Sequence, residues 1–287
     1  MIPVDRTAYG THAPDPLVRG VLALTRRLPR NWLGFRVSTP FRRIAINWLG
    51  ERPVDATVWG ARARLYPSHN SCEKNALFTP QVFDRLERRV LRKALRAVAE
   101  DRTFHFVDIG ANVGLYSLFV AQQSGGKTRG KVRVLAIEAQ PDIAERLRFN
   151  VGLNPGFDIA IEQVAVADRD GEIELMLTHH DRAGSYVRKG DGRGDGDEVI
   201  RVRCRPLMAL VEEAGFPLID ALKIDIEGAE DLALAPFLRD APEHLLPRVV
   251  LIEDRPDWGL DLYALLKQRG YRESARSRFN VIWRLAS

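Results

Sequence analysis

Apolar and polar positions change their period several times along the chain, and each change marks an element. Phe104–Ile109, Val132–Ile137, Ala221–Ile226 and Arg248–Glu253 are apolar runs, as strands covered on both faces are. Between them, Val113–Ser124, Asp142–Asn150, Pro206–Gly215 and Leu260–Arg269 carry apolar residues at helical spacing. Gly215 and Gly270 supply the stops of the last two. Ile159–Ala167 predicts a further strand, with Glu172–Leu177 hairpinning back from it across Asp170-Gly171, and Phe279–Leu285 predicts the last strand. This alternation predicts an α/β fold: a Rossmann-like, seven-stranded, mostly parallel sheet with a C-terminal antiparallel strand and helices on both faces.

Upstream of Phe104 the pattern is less regular. Thr79-Pro80 predicts a helix start, with Thr at the N-cap and Pro at the first position. Val82, Phe83, Leu86, Val90, Leu91, Leu95 and Val98 then recur at helical spacing. Ala56–Tyr66 alternates as one or two strands turning at Gly60. Residues 1–50 hold no sustained period, apart from a short amphipathic stretch at Leu17–Pro29 followed by Trp32, Phe35, Phe41 and Trp48. The expected organisation is an N-terminal helical and β cap over residues 1–75 and a Rossmann-like domain over 76–287.

Charge changes the picture of that cap. The 287-residue chain carries a net charge of +5, and residues 1–50 hold eight Arg against two Asp. A basic head on a near-neutral body suits either a solvated cap packed on the domain or peripheral contact with an anionic membrane. The cap is the favoured expectation. Two cysteines, Cys72 and Cys204, without ligand-spaced partners support neither a disulfide framework nor a zinc site, and both read as small core residues. No apolar run approaches bilayer length, so the expected location is cytoplasmic, with membrane contact at most peripheral. Lys189–Glu198 (KGDGRGDGDE) resembles a calcium loop only superficially, because Arg193 falls where a ligand belongs.

The chemistry lies in Phe106–Leu118, FVDIGANVGLYSL. A strand runs into Asp108, turns through Gly110 and Gly114, and enters a helix, where α/β folds bind adenine cofactors. The glycines let a ligand approach the backbone, although tight strand-to-helix packing would also require them. Glu138 ends the next strand in LAIEAQP, placed to accept hydrogen bonds from the ribose hydroxyls of an adenosine. A nicotinamide dinucleotide is the rival ligand. The turn is GxxxG rather than GxGxxG, with Asn112 where a pyrophosphate-admitting glycine would stand. Asp108, expected at the mouth of the loop, would repel a pyrophosphate and attract an ammonium group. S-adenosylmethionine, cationic and phosphate-free, is the expected cofactor.

Asp225, in the segment LKIDIEGAE, lies near the end of a strand expected beside the first, which brings a carboxylate towards the donor methyl. Glu227 and Glu230 are expected to open the next helix on one face, favouring its positive end. Alcohol methylation needs a base, and Asp225 is the first candidate with Glu253 second. Either could instead bind hydrogen-bond donors or a divalent ion, though no metal is assigned. His179-His180 reads as a solvated loop pair and His105 as structural.

These residues resemble the FkbM family of methyltransferases. The likeness runs from about Ala56 to Ser287 and rests on FVDIGANVGLYSL, IEAQP, Asn150, VAVADRDG, Gly184-Ser185, KIDIEGAE and LIEDRP. It implies a class I methyltransferase fold, S-adenosylmethionine as donor and, frequently, O-methylation of sugars or secondary metabolites. By this resemblance Asp108, Gly110, Asn112 and Gly114 would line the methionine end of the donor, and Glu138 would hold the ribose. Ala167 and Asp168 would lie by the adenine, with Asp225 and Glu227 at the reaction centre. Many members carry His soon after the position of Glu253; here Asp254 stands there. The expected acceptor is a hydroxyl on a small molecule or glycan. A nucleic-acid methyltransferase using the Arg-rich head, and a non-catalytic nucleoside-binding domain, are the alternatives.

Overall fold

The computed structural model describes residues 4–124, 131–177, 186–187, 198–255 and 258–286. The N-terminal segment, aperiodic in sequence, folds into two helices, α1 (Pro16–Thr25) and α2 (Trp32–Leu49). Asp15 caps the first by accepting from Val18 N at 3.0 Å, and Asn31 caps the second by accepting from Gly34 N at 3.1 Å. Pro40 lies inside α2, where it removes a backbone donor. The Ser38 and Thr39 hydroxyls donate to the Phe35 carbonyl one turn earlier, at 2.6 and 3.2 Å. An internal proline is why the sequence hides this helix.

The expected hairpin follows as β1 (Val54–Val58) and β2 (Ala61–Leu65), antiparallel about Gly60. Next come α3 (Ser71–Phe78) and α4 (Arg85–Arg96). Thr79-Pro80 therefore ends one helix rather than starting another. Thr79 N donates to Asn75 O at 2.9 Å as the C-cap of α3, and the proline cannot continue the helix. The chain then turns, and α4 begins only after Asp84, whose φ is 41°.

The alternating part comprises β3 (Phe104–Ile109), α5 (Leu115–Ala121), β4 (Val132–Ile137), α6 (Pro141–Gly152), β5 (Asp158–Glu162), β6 (Ala165–Ala167), β7 (Gly171–Leu177), β8 (Tyr186–Val187), β9 (Glu198–Pro206), α7 (Leu207–Glu213), β10 (Ala221–Ile224), α8 (Glu230–Asp240), β11 (Val249–Glu253), α9 (Leu262–Gln268), β12 (Tyr271–Arg276) and β13 (Asn280–Leu285). Among the described residues seven strands form one sheet in the order β12-β13-β11-β10-β3-β4-β5. Five neighbouring strands from β11 to β5 are parallel, and β13 runs antiparallel to β11. The α/β expectation holds.

One stretch differs. Ile159–Ala167 is two strands: β5 edges the main sheet, while β6 joins a second sheet ordered β6-β9-β7-β8. The chain leaves the main sheet at Gln163-Val164, between the two. In the second sheet β7 pairs antiparallel with β9, and β6 pairs parallel with β9, so the expected hairpin back from β6 does not form.

The cap and the Rossmann-like part share a core. Leu65, Leu77 and Phe78 of the cap pack in one cluster with Val113, Leu118 and Ile143. Polar groups stitch the same seam. Asn150, fully buried on α6, accepts from Arg64 N of β2 at 2.8 Å and donates to Val113 O at 3.0 Å. The Arg64 guanidinium is itself buried against Asp55, at 2.7 and 2.9 Å. Glu73 of α3 forms a buried ion pair with Arg146 of α6. Leaving either partner of such a pair alone would cost several kcal/mol, about 3–5. The cap is thus fixed against the loop that follows β3.

Candidate active site

Residues 110–114 leave β3 through three left-handed conformations: Gly110 at φ 72°, Asn112 at 53° and Gly114 at 89°. A Cβ on Gly110 would lie 1.9 Å from the Asp225 carbonyl oxygen, and one on Gly114 would lie 2.6 Å from Leu147 Cδ1. At both glycines the space that a Cβ would fill is taken by neighbouring protein, so close packing itself requires them. The loop is pinned from two sides. Asn112 N donates to Glu138 Oε2 at 2.8 Å, and Gln140 N donates to Glu138 Oε1 at 3.0 Å. Asn112 Oδ1 accepts from Asn70 Nδ2 of the cap at 2.8 Å. Burial pushes the Glu138 carboxyl up, against the pull of those two backbone N–H groups.

Asp108 lies beneath this loop, not at its mouth. It is fully buried, and its Oδ2 accepts from Ser117 Oγ at 2.7 Å while Oδ1 has no hydrogen-bond partner. Burial raises its pKa, opposed chiefly by the Lys223 charge. Lys223 of β10 places Nζ 3.1 Å from Asp225 Oδ2 and 5.0 Å from the centre of the Tyr116 ring. Burial works against the ammonium, but Asp225 and Asp108 outweigh it and raise its pKa. Sequence reading missed Lys223. A lone lysine inside an otherwise apolar buried strand was the available signal, since such a charge needs partners.

Above these groups opens a cleft. One end is apolar, lined by Ile137, Val164, Ala165, Val166 and Leu175 beside Glu138. Gly110, Ala111 and Asn112 form its middle. At the other end stand Cys72, Phe83, Asp84, Tyr116, Lys223, Asp225 and Glu227. Cys72, read from sequence as a core residue, faces this cleft. Asp84 Oδ2 accepts from Tyr116 Oη at 2.8 Å. Burial, with Glu87 close by, pushes the Asp84 carboxyl up to about 6. The aromatic partner is affected too: burial and Asp84 raise the Tyr116 hydroxyl well above its usual range.

Of the residues proposed from sequence, Gly110, Asn112, Glu138, Asp225 and Glu227 line the cleft, whereas Asp108, Gly114, Ala167, Asp168 and Glu253 do not. Ala167 sits one residue beyond the lining part of β6, and Asp168 pairs with Arg169 in an exposed position. Asp225, Glu227 and Glu253 each bring one carboxylate oxygen within 4.8 Å of the others. Arg255 ion-pairs with both Glu227 and Glu253, the latter at 3.0 Å. Glu227 is not in the following helix: its φ is 57°, and α8 starts at Glu230. Glu230 is buried and accepts from Ile226 N at 2.9 Å and Trp258 Nε1 at 2.8 Å, holding the loop. Asp254 accepts from Tyr263 Oη at 2.6 Å and pairs with Arg276. His179-His180, Gly184-Ser185 and residues 189–197 of the calcium-like run lie outside the described residues.

A profile described as the methyltransferase FkbM domain matches residues 108–273, more than half the chain. The chain belongs to the FkbM methyltransferase family. The methyl donor of that family is S-adenosylmethionine. Among curated proteins, the AMB antimetabolite synthetase AmbE of Pseudomonas aeruginosa is 27% identical over 209 residues, covering 59% of this chain and 10% of that protein. This chain therefore spans about a tenth of that relative's length. The FkbM methyltransferase structure from Methylobacillus flagellatus is 17% identical, covers 93% of this chain and 58% of that one, and has a TM-score of 0.42. The METTL16 MTase domain is 14% identical with full coverage of both chains and a TM-score of 0.49.

The residues present in this FkbM-family chain fit the family's donor. Asp84, Glu138, Asp225 and Glu227 face the cleft against the single cation Lys223 among its lining residues. An excess of carboxylates suits a sulfonium and an ammonium and opposes a pyrophosphate.

Proposed function

We propose that this protein transfers a methyl group from S-adenosylmethionine to a hydroxyl oxygen of a small molecule or glycan. The observation that carries the reading is a carboxylate, Asp84, facing the cleft with no ion-pair partner among the described residues. Methyl transfer to an alcohol is slow unless a base takes the proton, and a cleft-facing carboxylate held by no cation suits that task. Asp225 and Glu253, the bases suggested by sequence, are each held by a cation: Lys223 at 3.1 Å and Arg255 at 3.0 Å. Each is thus engaged in an ion pair and is not free to take a proton from an acceptor without breaking it. Asp84 is the better base, and Asp225 with Lys223 would orient the acceptor.

The donor supplies an electrophilic methyl on a sulfonium. Glu138 would hold its ribose, the apolar end of the cleft its adenine, and the backbone of 110–112 its methionine end. The residues around the acceptor then exclude water and align the oxygen, which is where most of the acceleration of a displacement arises. The acidic lining also disfavours a phosphodiester acceptor, which separates this reading from nucleic-acid methylation.

The test is to incubate the purified protein with isotopically methyl-labelled donor and metabolite or glycan extracts, and to characterise products by mass spectrometry. Label in an ether methyl supports the proposal. Label found only on nitrogen or carbon, or uptake of NAD with no uptake of S-adenosylmethionine, overturns it.

A further inference from the structure

The two cap helices leave an apolar surface towards solvent. On α2 three stripes run side by side. Gly34, Ser38, Arg42, Ala45 and Leu49 are buried against the cap. Leu33, Val37, Phe41, Ile44 and Trp48 recur at spacings of three and four, on a second face about 80° wide. That second face is exposed: Leu33, Ile44 and Trp48 each keep 56% of their surface, Val37 43% and Phe41 36%. Arg36 and Arg43 share the third stripe with Trp32, which is 68% exposed. Beside it, α1 exposes Leu17 at 38% and Leu24 at 42%. The Trp48 indole donates to Asp15 Oδ2 at 2.7 Å, so this face of α2 meets the start of α1.

Scattered apolar residues on a surface need no explanation, but a continuous stripe along a helix of 18 residues does. Its charge identifies what covers it. Residues 16–50 contain seven Arg and no Asp or Glu. Exposed Arg27, Arg30, Arg36 and Arg43 flank the stripe, and tryptophans stand at both ends of α2. An apolar face bordered by arginine, with indoles at the margins, matches the boundary between acyl chains and anionic headgroups. A second protein surface would have to offer both an apolar groove and a run of carboxylates.

We propose that α1 and α2 form a membrane-docking surface, with the Leu33-to-Trp48 face lying among the headgroups of an anionic bilayer. The helices lie on the surface rather than crossing it: among the described residues no helix is long and apolar enough to span a membrane. The inner stripe keeps its packing against the cap, so docking requires no unfolding. This inference does not depend on which atom accepts the methyl group.

Vesicle flotation of the whole chain tests it. Vesicles of equal parts phosphatidylcholine and phosphatidylglycerol are expected to carry the protein up, and pure phosphatidylcholine at least about tenfold less. Raising the salt should release it. Val37→Ser with Ile44→Ser, and separately Arg36→Glu with Arg43→Glu, should each lower partitioning by about tenfold or more. Melting temperature should stay near that of the unmodified chain, because these side chains face solvent. Flotation unchanged in both double variants overturns the proposal. So does a chain that never floats yet forms a dimer that the variants dissolve, which would make a second copy the occupant.

Discussion

The backbone of Gly110 and the carbonyl of Asp225 touch so closely that a Cβ would stand 1.9 Å from the oxygen. Asp225 N also donates to Ile109 O at 3.1 Å, which locks the ends of β3 and β10 together. The loop after β3 and the Asp225 backbone are thus held together as one unit. Gly110→Ala should destabilise the fold by about 3 kcal/mol or more, through the clash and the φ of 72° combined. Thermal unfolding measures it. A melting temperature equal to that of the unmodified protein would show that the loop relaxes freely.

Lys223 neutralises two carboxylates at once, Asp225 at 3.1 Å and the buried Asp108. Lys223→Met should leave both uncompensated and cost about 3–5 kcal/mol near neutral pH. The sign with pH follows from Asp108, whose pKa is raised by burial and rises further without the lysine. Stability of the variant should be highest at low pH and be lost as pH increases and the carboxyls ionise. Melting curves across the acidic to neutral range test this. A deficit that stays constant with pH would assign Lys223 a packing role only.

Glu138 holds the loop through two backbone N–H groups and also faces the apolar end of the cleft. Glu138→Gln keeps one acceptor oxygen and turns the other position into a donor facing a donor. Donor affinity should fall by about tenfold or more, since hydrogen bonds to charged groups contribute roughly 1.5–3 kcal/mol. Calorimetric titration with S-adenosylmethionine reads the effect. Unchanged affinity would remove Glu138 from the ribose site.

Much of this was legible in sequence where a residue type has one physical use. Buried parallel strands announced themselves as apolar runs, and Glu138 at a strand end was readable because a carboxylate there needs a partner. The cap was less so. Pro40 masks α2, and Thr79-Pro80 serves equally well as the end or the beginning of a helix. Long-range pairing was invisible as well: nothing near Ala165 shows that β6 pairs with β9, some forty residues away. Asp84 carries no motif and stands before the matched family region, yet the fold delivers it to the cleft through the left-handed turn before α4.

Asp84 and Asp225 make opposite predictions about pH. A base must be deprotonated, so activity limited by Asp84 rises with pH through its pKa, about 6 without donor. A bound sulfonium would pull that value down, placing the apparent midpoint at or below 6. Asp84→Asn should lower kcat by about a hundredfold or more, within the range for lost general-base catalysis, and flatten the acidic limb. Its stability should move the other way. Because the folded pKa lies above the ordinary aspartate value of 3.8, Asp84 contributes stability that is present below that value and lost as pH rises through about 6. The asparagine variant should therefore gain relative stability as pH rises from about 3.8 to about 6 and hold it above that, by roughly 2–3 kcal/mol at most. Asp225→Asn should instead raise KM while leaving the acidic limb in place, since its role is to orient. If Asp225→Asn flattens the limb and Asp84→Asn leaves it intact, the two roles are exchanged.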